Sequence, residues 1–261
     1  ENGSRAKTKA DLDRYWYDQT ISKSEGFVLR ELKNAPFSHA WVRGDSRRVL
    51  GRDFVNFLKL RYGQLPCGAV ANRGRPAPYC RHGCFRRDGQ RAAETMPHIQ
   101  TLCVPLRSNI IARHNALRDM VANDLADSGE WRIWKEHRLE LLDASEGLHH
   151  RQPDLIVANE HETWVLDVAV QWANANYRLR QGCERKVRYY STPAMRVAVA
   201  KLTGHLPEKI KVAGIVFDYR GALAAASLRA LELLGIPRRR VKVYLLKTMT
   251  ESLKIWRAHR R

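Results

Sequence analysis

Two groups of residues have the types and spacing to do chemistry. The first is Cys80-x3-Cys84-x13-His98-x4-Cys103. Three thiolates and one imidazole suit tetrahedral zinc, and two ligands close in sequence at each end let a short loop wrap the ion. His82 and His114 are alternatives to His98, and Cys67 is a spare thiol. The second group lies in HRQPDLIVANEHETWVLDVAV, residues 150–170. Asp154 follows a proline just before one apolar run, and Asp167 sits inside another. Burying an unpaired carboxylate is costly, and protonating it only moves the cost into its pKa. Something must compensate Asp167. Both runs read as strands, with Asn159-Glu160-His161-Glu162 as the polar turn between them. Such a pair can set Asp154 beside Asp167 near a sheet edge, where two carboxylates hold a hard divalent ion, Mg2+ or Mn2+ in its place. That ion would supply the missing charge, polarise a phosphate and lower the pKa of a bound water.

Chemistry of this kind also needs a cation near the attacking water or the scissile phosphate. Two residues beyond Asp167, on the same strand face, stands Ala169. Lys186 in CERKVRYYS is the nearest well-placed amine, on the helix that follows; read alone, it is a solvated helix lysine. Glu136 could add a third carboxylate, or be a surface glutamate beside Lys135 and Arg138.

The elements that must position these groups fall into three regions. Residues 1–70 carry large apolar side chains at three- and four-residue spacing and predict a helical region. Residues 71–115 open with a linker rich in proline and glycine, then carry the cysteines and histidines among few large apolar side chains, so metal must hold them. Residues 116–261 predict a mixed α/β domain, with strands over WRIWKEHRLEL, PDLIVA, TWVLDVAV and KIKVAGIVFDY. Helices are expected over NALRDMVANDL, over a segment starting near Ala173 and carrying Lys186, over ALAAASLRALELLG, and at the C-terminal end.

The 261 residues are 44% hydrophobic, and 46 Lys and Arg against 27 Asp and Glu leave a formal charge of +19. The pI near 10.1 points to a polyanionic partner, nucleic acid first. Arg73, Arg75, Arg81, Arg86, Arg87 and Arg113 are the candidate phosphate contacts. No apolar run reaches the roughly 18–20 residues of a membrane helix, and no signal peptide is evident. Five cysteines without a secretory signal favour a reducing compartment. The start at Glu1 is expected of a piece of a longer protein.

Arg151-Gln152-Pro153-Asp154, twelve residues, Asp167 and then a lysine-tyrosine element on the next helix resemble the restriction-like endonuclease domain of site-specific non-LTR retrotransposons. LRYGQLPC resembles the Leu-Pro element that follows the reverse transcriptase thumb in that family, and the CCHC knuckle comes next in the same order. The resemblance implies a PD-(D/E)xK restriction-like α/β core over 116–261, a small zinc knuckle within 71–115 and an N-terminal helical region over 1–70. It implies Asp154 and Asp167 as Mg2+ ligands, with Lys186 and Tyr190 catalytic, although Tyr189 stands where the family often has a lysine. The implied activity is a metal-dependent DNA endonuclease that nicks its target to start target-primed reverse transcription. Its partners would be double-stranded target DNA and, through the full-length protein, the element's RNA, in the nucleus and without a membrane. A non-catalytic nucleic-acid-binding module is the competing function, kept open by Ala169. A protein-interaction platform is a third, disfavoured by the charge.

Overall fold

The computed structural model describes residues 8–23, 26–33, 35–42, 49, 51–143, 147–174 and 178–261. Helices α1 (Lys9–Ile21), α2 (Val28–Leu32), α3 (Gly51–Arg61) and α4 (Gly68–Ala71) lead the chain, with a 3-10 turn over Pro36–Val42. Thr8 caps α1 in a capping box with Asp11. The cysteine-bearing segment folds back on itself through single bridges between Tyr79 and Ala93 and between Phe85 and Arg91. It ends in α5 (Met96–Thr101), capped by Thr95. The long α6 (Arg107–Asp127) then carries residues of both the second and third expected regions.

Among the described residues seven strands follow: β1 (Arg132–Lys135), β2 (Leu139–Asp143), β3 (Gly147–Arg151), β4 (Leu155–Ala158), β5 (Thr163–Gln171), β6 (Ile210–Asp218) and β7 (Ala222–Leu223). Five form one sheet in the order β1-β4-β5-β6-β7, and β2 pairs with β3 apart from it. The stretch 131–141, expected as one strand, is therefore two. It breaks at Glu136, whose φ of 45° lies in the left-handed region that non-glycine residues rarely adopt.

β4 and β5 are antiparallel, whereas β5 and β6 are parallel, so a crossover must link them. That link is α7 (Leu179–Tyr190) and α8 (Pro193–Thr203). The helix expected from Ala173 thus begins at Leu179; residues 175–177 of that expectation lie outside the described residues. The chain finishes with α9 (Ala225–Leu233) and α10 (Arg238–His259).

Both faces of the central strands are covered, which is why their sequences read as nearly unbroken apolar runs. Leu155, Val157, Leu166, Val168, Ile215 and Phe217 pack with Leu117, Val121 and Leu125 of α6 and with Leu231 and Tyr244 of α9 and α10. On the opposite face Ile156, Val165 and Ile210 meet Tyr190, Met195 and Val199. A further cluster joins Trp41, Phe57 and Leu60 to the cysteine segment and to Met249, Leu253 and Trp256 of α10. The segment, expected to be unable to fold on burial alone, does bury Met96, Ile99 and Leu106. No described helix is long and apolar enough to cross a membrane.

Candidate active site and metal centre

Asp154 stands one residue before β4 and Asp167 at the centre of β5. The register pairs Leu155 with Leu166, and one step further sets the two aspartates side by side. Alternation along β5 places Val165, Asp167 and Ala169 on the face that α7 and α8 cover. Asp154 is held rigidly. Its Oδ2 accepts from the Val168 amide at 2.6 Å, and its Oδ1 lies 3.0 Å from Nε2 of His114.

Asp167 is buried and forms an ion pair with Lys186 of α7. This is the compensation that its position in the strand demands. Burial first, then the Asp154 carboxylate, raise the Asp167 carboxyl above its ordinary 3.8, while the Lys186 ammonium and the Tyr190 hydroxyl act in the opposite sense. Tyr190 donates to the Gln152 carbonyl at 3.1 Å. Burial and the neighbouring Asp167 push its phenol well above the ordinary range, which keeps it a neutral donor.

Lys186 reaches this point because α7 can come close to the sheet. Gly214 of β6 lies in register with Asp167. A Cβ there would stand 3.0 Å from Cα of Cys183 and 3.1 Å from Cβ of Lys186, so any side chain at 214 would press α7 outward. Sequence reading passed over Gly214. An interior strand glycine is the available signal, since it marks a close approach of another backbone.

Glu136 adjoins the pair through its backbone, its amide donating to the Asp154 carbonyl at 3.0 Å. Its carboxylate, however, is engaged by Arg118 of α6 at 2.5 Å. His114, considered above as a zinc ligand, belongs instead to Asp154. On α6, His114 and Arg118 are one turn apart and serve the two acidic residues 154 and 136.

The ligand atoms of Cys80, Cys84, His98 and Cys103 lie within 4.8 Å of one another, and all four residues are buried. Their chemistry fits a zinc ion. Burial, followed by neighbouring thiols, raises Cys103 strongly, and burial raises Cys80. Thiols so placed give up their protons readily only to a cation. Burial also lowers His98, favouring the neutral imidazole that a metal requires, and its Nε2 has no hydrogen-bond partner among the described residues. Around the cluster, His259 of α10 sets its Nε2 3.5 Å from the Cys80 sulfur, and His82 contacts the His259 carbonyl at 3.2 Å. His82 is therefore a neighbour of the cluster and not a member. Cys67 is buried in the same apolar cluster, and burial raises its thiol.

Of the arginines expected at phosphates, Arg73, Arg75, Arg86 and Arg87 are exposed. Arg81 makes a bidentate pair with Glu94 at 3.0 and 2.7 Å, which holds the Glu94 carboxyl down at about 2. Arg113 must be withdrawn as a phosphate contact. It is 1% exposed and donates to Gln100 Oε1 at 2.8 Å, Ser252 Oγ at 2.9 Å and the Gln100 carbonyl at 2.7 Å. Burial pulls its guanidinium down to about 10. Helical periodicity placed it on α6, but only the packing of α10 against α6 shows which face is inward.

The sheet and the Cys3His cluster make this a mixed α/β protein with a site that could hold a metal ion, beside a buried acidic pair met by a lysine. No family model matches the chain. It is 24% identical over 231 residues to the Retrovirus-related Pol polyprotein from type-1 retrotransposable element R2 of Nasonia vitripennis, covering 87% of this chain and 21% of that protein. It is 24% identical over 227 residues, 86% of this chain and 20% of the relative, to the Pol polyprotein from type-2 retrotransposable element R2DM of Drosophila melanogaster. An R2 Pol polyprotein of Popillia japonica is 26% identical over 236 residues, 88% of this chain and 36% of the relative. The chain spans about a fifth of the length of the first two. These similarities, over most of the chain, support a region of a retrotransposon protein.

Proposed function

We propose that this chain is the restriction-like endonuclease region of an R2-type retrotransposon protein, a Mg2+-dependent DNA nickase braced by a structural zinc knuckle. The observation that carries the reading is the meeting of Asp154, Asp167 and Lys186. Three residues of the expected chemistry, from the entry to β4, the centre of β5 and α7, converge at one place. Ala169 leaves no lysine on the strand, and the amine from α7 fills its role.

Asp154 and Asp167 would hold the Mg2+ ion, which when bound polarises a phosphate and lowers the pKa of water. The Val168 amide and His114 fix the Asp154 carboxylate, so that one ligand needs no reorganisation. Lys186, paired with Asp167 in the free protein, is 29% exposed at its side chain. It can turn from the carboxylate to a phosphate oxygen and carry part of the charge that develops there. Tyr190, kept protonated, donates a hydrogen bond and closes the inner side of the site. The zinc knuckle, by its packing against α10, fixes the basic hairpin that bears Arg86 and Arg87. The nick would expose a 3′-hydroxyl for copying of the element's RNA by the rest of the protein, in the nucleus where the target DNA lies.

A nicking assay on supercoiled target DNA with Mg2+ tests the proposal. Asp154→Ala should abolish nicking with DNA affinity retained. Lys186→Ala should slow it by roughly 10²–10³-fold, about 3–4 kcal/mol of barrier, with the dissociation constant within about twofold. Binding without any Mg2+-dependent cleavage by the unaltered protein would establish the non-catalytic DNA-binding module instead.

A further inference from the structure

Beyond β5, the chain builds a second feature that the nicking site does not use. Trp172 directly follows Gln171, the last residue of β5, and lines a cavity of about 660 Å³ together with Tyr62, Lys23, Arg73 and Arg75. Trp172 is 38% exposed and Tyr62 39%, so both aromatic side chains present surface to a ligand. Among the described residues that line the cavity none is a carboxylate, while Lys23, Arg73 and Arg75 are cationic. This lining suits an anion with flat apolar parts.

The backbone on either side of Trp172 is fixed by groups otherwise costly to bury. Asp218 and Arg220 form an ion pair at 2.9 Å, both with side chains at most 2% exposed. Asp218 Oδ2 accepts from the Ala173 amide at 2.8 Å, and Arg220 donates to the Ala173 carbonyl at 2.6 Å. On the other side the Tyr219 amide donates to the Gln171 carbonyl at 3.2 Å. Arg61, itself buried, donates to the Arg220 carbonyl at 3.4 Å. A buried ion pair adds little net stability once its desolvation is counted. Here it fixes the backbone that carries one half-exposed tryptophan, which removes the ordering cost of a stacking platform before any ligand arrives.

We propose that this cavity binds unpaired DNA, with bases stacked on Trp172 and Tyr62 and phosphates held by Lys23, Arg73 and Arg75. Aromatic platforms in a basic groove are the general means of holding single strands. Asp167 and Trp172 lie five residues apart on one extended segment, roughly 16 Å at about 3.3 Å per residue. That is about five nucleotide steps at ~3.4 Å each. DNA engaged at the acidic pair would therefore pass within reach of the groove, which would take the stretch that is unpaired. The proposal rests on the DNA-cleaving reading for this placement, though not for the groove's chemistry.

The test is fluorescence anisotropy with labelled oligo(dT) of about 12 nucleotides, oligo(U) of the same length, and a duplex. Trp172→Ala should weaken oligo(dT) binding about tenfold or more and leave the duplex within about twofold, while Trp172→Phe should stay near wild type. A bromodeoxyuridine-substituted strand irradiated on the unaltered protein should cross-link to peptides holding Trp172 or Tyr62, which checks the site without any variant. Three results would overturn the proposal: unchanged oligo(dT) binding in Trp172→Ala, equal losses for single strand and duplex, or cross-links that all fall elsewhere. Tight binding of oligo(U) with none of oligo(dT) would overturn it too, by making the ligand RNA. Nicking by the unaltered protein, measured beside its oligo(dT) binding and that of Trp172→Ala, separates the two readings. Oligo(dT) binding that depends on Trp172 in a protein that never nicks leaves the groove standing and removes the nuclease, and nicking without such binding does the reverse.

Discussion

Asp167→Asn should make the metal-free protein more stable while ending its nicking. The Asp167 carboxyl is held above its ordinary 3.8 by burial and by Asp154, so its ionisation works against the fold. Such a group contributes its stability below about pH 4 and loses it as pH rises through the folded value. At neutral pH the carboxylate is tolerated because Lys186 pairs with it. Replacing both partners of a buried ion pair by neutral groups is neutral to stabilising by about 1–4 kcal/mol, and removing one partner is costly only where the other charge stays buried. Lys186 keeps 29% of its side chain exposed and can relax into water once its partner is neutral, and an asparagine oxygen can still accept a hydrogen bond. A gain of about 1–2 kcal/mol follows, or roughly 2–8 °C in Tm for a chain of this size. Thermal melts from pH 4 to pH 7.5 check this, and the difference between variant and wild type should widen as pH rises. Mg2+ at ten times its dissociation constant should stabilise wild type by about 1.4 kcal/mol and leave the variant where it was. A variant that melts below wild type at neutral pH, or a difference that narrows with rising pH, would show that the Asp167–Lys186 pair holds the fold together and is not a site kept at a cost.

Purified without chelator, the protein should contain one zinc per chain by elemental analysis, and strong chelation should disorder residues 80–103. Metal affinity supplies on the order of 10 kcal/mol in small sites of this kind, and Met96, Ile99 and Leu106 alone do not replace it; zinc-free protein with unchanged circular dichroism would refute this. DNA affinity should fall roughly a thousandfold between 50 and 200 mM salt if about six phosphates are neutralised, and a flat salt response would assign the basic excess another use. Arg113→Ala should cost about 2–4 kcal/mol of stability in denaturant titrations, because Gln100 and Ser252 lose a buried partner, and should leave DNA affinity at fixed salt within about twofold. A large loss of DNA affinity in a fully stable variant would return Arg113 to the phosphate contacts.

Both sites could be traced in the sequence to the extent that their residues are close along the chain. The Cys80, Cys84, His98 and Cys103 spacing implied a cluster because short loops leave few ways to arrange four ligands. Asp154 and Asp167 were legible because they flank one tight turn, and a strand period of two fixes which residues share a face. The resemblance to a retrotransposon nuclease followed the same local order, and similarity to R2 Pol polyproteins supports its coarser part. What the sequence could not decide were contacts between segments far apart. The role of Lys186 depended on how near α7 lies to the sheet, which Gly214 sets from β6. His114 and Arg113 are adjacent in sequence, yet one faces Asp154 and the other is sealed under α10. Charge alone marks every arginine as a surface residue, and only the neighbours brought by folding reveal that Arg113 is interior. The Asp218–Arg220 pair that fixes the backbone beside Trp172 went unread for the same reason. A local pattern encodes which side of an element is apolar, whereas the partner that meets that side is chosen by the packing of the whole chain.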